Sequence, residues 1–145
     1  MSPETPLAPP DRAAMGAAQI ITALFLALGI LAALRTSLDS TEELLVFTVS
    51  PGTSLAWLAI GLVGAPLATT PPRARLYLAV TGLLLIAWGL AGVLVDDSAS
   101  AMFARDRALI ALHLIAGAAA VGAAAVSAAV RPPSTPSDGA PARTR

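Results

Sequence analysis

The sequence predicts an all-α integral membrane protein: a bundle of four transmembrane helices joined by short loops, with disordered tails. Three observations predict it. Hydrophobic residues make up 56% of the 145 and charged ones 12%, with a mean hydropathy of +0.75, whereas soluble domains carry about 25% charged residues. Four long apolar stretches contain none of the nine basic and nine acidic residues. The twelve prolines gather in the two tails and around the second of these stretches.

The first stretch covers residues 13–34, between Arg12 and Arg35. Its 22 residues, at about 1.5 Å of rise each, span the roughly 30 Å hydrocarbon core. A cleaved signal peptide is the rival reading. The apolar run is long for one, and Leu34-Arg35 is a poor small-residue cleavage site. The second helix is placed at residues 53–70. Ser50-Pro51-Gly52 reads as a turn before it, and Pro66 kinks or ends its last turn. Leu44 to Phe47 are expected to pack at the membrane surface within the first loop, with a re-entrant segment as the alternative. The third and fourth helices cover residues 76–95 and 108–130, neither containing proline. In lipid, backbone groups must bond within their own segment, and proline would break that ladder. Residues 1–12 and 131–145 are short, polar and proline-rich, and are expected to be disordered.

Composition also excludes chemistries. There is no cysteine, so disulfides and thiolate nucleophiles are absent, and the single His113 cannot build a histidine metal cluster within one chain. No glycine-rich phosphate loop, paired carboxylates or serine triad stands at credible spacing. No enzyme activity and no cofactor are therefore expected. A neutral, charge-poor chain is no nucleic-acid binder. The expected partner is the lipid bilayer, joined by a homo-oligomeric copy or a larger membrane protein.

Four spans put both tails and the second loop on one side, with Arg12, Arg73, Arg75, Arg131, Arg143 and Arg145; the other side holds Arg35, Arg105 and Arg107. Six arginines against three place both termini in the cytoplasm. The acids run the other way: Asp39, Glu42, Glu43, Asp96 and Asp97 lie outside and read as a solvated face, and Asp106, also outside, suits the dipole at the start of the fourth helix.

Small residues promise close helix packing. Gly61 and Gly64 in the second helix, Gly89 and Gly92 in the third, and Gly117 and Gly122 in the fourth are the packing candidates. Among ionisable groups only His113 falls within a span, at a depth similar to Trp57 and Trp88. These three form the candidate polar site. It reads either as a proton-linked or small-molecule site, or as a neutral imidazole bonded to a carbonyl beside an outer aromatic belt. Tyr77, just past Arg73 and Arg75, is placed for the inner belt.

Residues 47–124 carry Phe47-x-Val49-x-Pro51, Gly61-Leu62-Val63-Gly64, Arg73-Ala74-Arg75-Leu76-Tyr77-Leu78, Gly82, Gly89-Leu90-Ala91-Gly92, and Leu112-His113-Leu114 followed by Gly117. In these the chain resembles a family of small four-helix membrane proteins from actinobacteria and relatives, catalogued as a domain of unknown function, number 4383. The resemblance implies four helices in a bacterial cell membrane and no assigned activity. It also implies asparagine and histidine where this chain has Ser50, Ser54 and Trp57. Any histidine pair of the family is thus reduced here to His113. The function expected is a structural or accessory one exerted through helix–helix contacts; the alternative is a small-molecule or proton-linked carrier with a site near His113.

Overall fold

A computed structural model describes residues 8–35, 42–44, 47–94 and 106–130. Its architecture is four helices: α1 (Pro9–Arg35), α2 (Pro51–Leu67), α3 (Pro71–Leu94) and α4 (Arg107–Ala129). Between α1 and α2 two three-residue strands, β1 (Glu42–Leu44) and β2 (Phe47–Val49), pair antiparallel, with Glu42 opposite Val49 and Leu44 opposite Phe47. The first loop was expected at the membrane surface, and nothing in its sequence announced a hairpin. The expected disorder of residues 1–7 and 131–145, and the acids Asp39, Asp96 and Asp97, fall outside the described residues.

Proline moves three helix starts. Pro9 and Pro10 open α1, with Asp11 in its first turn and the amides of Asp11 and Arg12 donating to the Ala8 carbonyl at 3.0 and 3.1 Å. Residues 9–12 are therefore helical and not tail. A proline in the first turn lacks only a donor that would be orphaned anyway, and its fixed φ suits the helix. The turn expected at Ser50-Pro51-Gly52 is the start of α2: Ser50 caps it, its Oγ accepting from the Thr53 amide at 3.2 Å, and Pro51 stands in the first turn. Likewise Pro71 and Pro72 begin α3, so Arg73 and Arg75 are helical. Pro66 lies one residue before the end of α2, where Ala68 closes it by donating to the Gly64 carbonyl at 2.8 Å. Asp106 caps α4 by accepting from the Ala108 amide at 2.8 Å.

α1, α3 and α4 are each long and apolar enough to cross a membrane. α2, with 17 residues, is a shorter apolar helix, at the lower limit of a spanning segment. α1 packs along α2 and α3 along α4; α1 also lies against α3 and α4, while α2 and α3 meet over a short stretch. The buried positions step by three or four, as in Ala14, Ala18, Ile21, Phe25, Gly29 and Ala32 of α1, which is the seam of a helical bundle. Outward-facing side chains are apolar too, among them Ile20, Leu55, Leu83 and Ile115, each more than 60% exposed. A surface of this kind is matched to lipid, not water. The starts of α1 and α3 lie at one end, joined by an ion pair between Asp11 and Arg75.

Candidate functional site

Each helix sends one ring to the same place. Trp57 stands six residues from the start of α2, His113 six from the start of α4, and Trp88 six before the end of α3. These are equal depths, about 9 Å along each axis, at the end of the bundle away from the Asp11–Arg75 pair. Phe25 of α1 meets Trp57 edge-on, with ring centroids 6.2 Å apart and planes at 69°. Trp57 lies 6.1 Å from His113 with planes at 40°, and Trp88 lies 6.3 Å from it with planes at 21°. Phe25, Trp57 and His113 are buried; Trp88 is half-buried.

The imidazole is held at both nitrogens. The Trp57 indole Nε1–H has no acceptor role, so at 3.2 Å it donates to His113 Nε2. That leaves Nδ1 to carry the proton and donate to the Leu109 carbonyl, 2.8 Å away. A neutral ring of one tautomer satisfies both bonds, the arrangement a buried imidazole requires where water is absent.

Beside this node, between α2 and α3, lies a cavity of about 230 Å³. Ala56 and Ile60 of α2, Leu84 and Trp88 of α3, and Trp57 and His113 are among its walls. Thr53 adds a hydroxyl, which shares a 3.0 Å hydrogen bond with Ser50 Oγ. Among the described residues, none that lines it is charged. Among the described residues, no three His, Cys, Asp or Glu side chains come together as a metal site would need.

Comparison with protein families matches residues 16–126 to one described as a domain of unknown function, DUF4383. The chain belongs to the DUF4383 family. No curated protein and no solved structure matches it. In this DUF4383 protein the ring at Trp57, where the resemblance implied the loss of a histidine partner, is the one that bonds His113.

The packing glycines divide. A Cβ on Gly61 would come within 2.7 Å of the Leu26 backbone, and one on Gly117 within 2.7 Å of the Gly82 carbonyl oxygen. On Gly64 it would strike Thr22 and Tyr77; on Gly89, Leu114; on Gly92, Ile110 at 3.0 Å. Gly122 is the exception: it is exposed, with nothing within 4 Å of an added Cβ. Its expected role in packing the bundle is corrected, because the register of α4 turns Gly117, Ala120 and Ala124 inward instead.

Tyr77 is also displaced from its expected role in the inner belt. It is buried inside the bundle, its hydroxyl donating to the Ile60 carbonyl at 3.2 Å, close to Thr22 and Gly64. Sequence reasoning missed Phe25, Thr22 and Gly29, and had Gly82 in the family resemblance but not among the packing candidates. The signal for the two glycines was their placement inside helices, where glycine costs about 1 kcal/mol relative to alanine unless a close contact requires it. Phe25 had a weaker one, as the sole aromatic residue of α1.

Proposed function

We propose that this DUF4383 protein is a non-enzymatic accessory protein that holds a small lipophilic molecule, taken laterally from the bilayer, in the cavity between α2 and α3. The observation that carries this reading is the convergence of one ring from each helix beside an uncharged cavity of about 230 Å³. Membrane-dissolved ligands favour mostly apolar sites with a few placed polar groups, and Thr53, Trp57 and His113 supply those. His113 orients the site; with both nitrogens engaged in neutral form, no observation favours proton-linked transport. The protein is placed in the bacterial cell membrane, and six arginines against three support both termini in the cytoplasm.

Native mass spectrometry of gently extracted protein tests the reading. A lipophilic adduct retained by the wild type and lost from the cavity-filling Ala56→Trp variant is expected. An adduct of bulk phospholipid alone, or one unchanged in the variant, would overturn it.

A second reading rests on Gly122. With Ala118, Ala119 and Ala125 it forms an exposed small-residue face on α4, suited to a helix of another copy or of a larger membrane protein. Cross-linking through Gly122→Cys, with dimers formed in native membranes, supports it; monomers alone remove it.

A further inference from the structure

A second cavity lies between α2 and α3, separate from the one at the ring node. Val63 and Leu67 lie one and two turns beyond Ile60 on the same face of α2, and Val80 and Tyr77 lie correspondingly beyond Leu84 on α3. These four line that cavity, of about 220 Å³, in the half of the bundle nearer the Asp11–Arg75 pair. Ala56 at one cavity and Leu67 at the other stand about 17 Å apart along α2.

The two cavities differ in chemistry. The outer one has Trp88 and His113 nearly parallel at 21°, with the Thr53 hydroxyl near them. The inner one is bounded chiefly by branched aliphatic side chains, and the Tyr77 hydroxyl there already donates to the Ile60 carbonyl. Among the described residues, neither has a charged one in its walls. We infer that the ligand is a flat, uncharged ring bearing a long apolar chain, with the ring against Trp88 and His113 and the chain laid along α2 and α3 into the inner cavity. This rests on the reading that the outer cavity holds a lipophilic molecule, and adds its class and its pose.

Each part of the inference has its own ground. Flat walls favour a ring through offset stacking. A fatty acid or phospholipid would bring a charged group to a wall with no counter-charge, at a large cost. A chain leaving lipid for the space between α2 and α3 gains no hydrophobic free energy, since lipid tails are equally apolar. It is held by fit, which a slot between two helix faces provides.

A benzoquinone bearing a decyl chain with a terminal diazirine probes both parts, using the full chain in phospholipid nanodiscs. Saturable quenching of the two tryptophans, Trp57 and Trp88, reports the ring. Peptide mapping after irradiation reports the chain end, with adducts expected on Val63, Leu67, Tyr77 or Val80 and suppressed by unlabelled quinone. Val80→Phe, at an exposed edge of the slot, should remove those adducts while the quenching persists. Saturable quenching with adducts spread over lipid-facing Ile20, Leu83 and Ile115, or an adduct pattern that Val80→Phe leaves unchanged, overturns the chain's placement and leaves the outer site standing. Absence of saturable quenching overturns both.

Discussion

At the scale of single residues, the bond from the Trp57 indole to His113 Nε2 ties α2 to α4, which no extensive helix contact joins. Trp57→Phe retains an aromatic ring against Phe25 and leaves Nε2 buried without a donor. We expect a loss of about 1 kcal/mol, since interhelical hydrogen bonds in membranes are worth about 0.6 to 2. A double-mutant cycle with His113→Leu, followed by reversible unfolding in mixed micelles, should return a coupling of the same size. Independent, additive effects would show that the two side chains do not interact. Glycine supplies a paired comparison. Gly117→Val drives a side chain into the Gly82 carbonyl, so more than about 2 kcal/mol should be lost. Gly122→Val, on the same helix with nothing within 4 Å, should change folding stability by less than about 1 kcal/mol, the difference in helix propensity included. Nothing in the two residues' own identity separates them. What separates them is the rotation of α4, and alanine or glycine at most positions from Ala116 to Ala129 gives that rotation no sequence signature.

The helices themselves were legible as charge-free runs, and their edges were not. Pro9, Pro51 and Pro71 each punctuate the chain, and proline marks the first turn of a helix as readily as a break. Only the flanking partner decides: the Ala8 carbonyl for α1 and the Ser50 hydroxyl for α2. Ser50→Ala and Asp106→Ala should each cost about 1 kcal/mol through loss of a cap. Hydrogen exchange checks this, with faster exchange at the Thr53 and Ala108 amides and unchanged rates mid-helix. Unchanged rates at those two amides would contradict the caps. Equal depth brought Trp57, Trp88 and His113 together in the sequence, because counting from the helix ends needs no knowledge of facing. Phe25 escaped for the opposite reason. α1 is apolar on every side, so no amphipathic stripe shows which face turns inward.

For the whole molecule, the described arginines mark its two ends. Arg12, Arg73 and Arg75 share one end of the structure with Asp11, and Arg35 and Arg107 stand at the other. A reporter fused after Arg145 should be active only if it functions in the cytoplasm; activity only outside would invert the orientation. The short second helix has a further consequence. α2 rises about 26 Å, near the lower length of a spanning segment, and the uncharged part of α3 beside it, residues 76–94, rises about 28 Å. A span of that length is met by local thinning of the bilayer or by adjustment of the side chains at its ends, at modest cost. A ligand taken from the bilayer into the cavity between α2 and α3, as proposed, would thus enter on the side where the apolar helices are shortest.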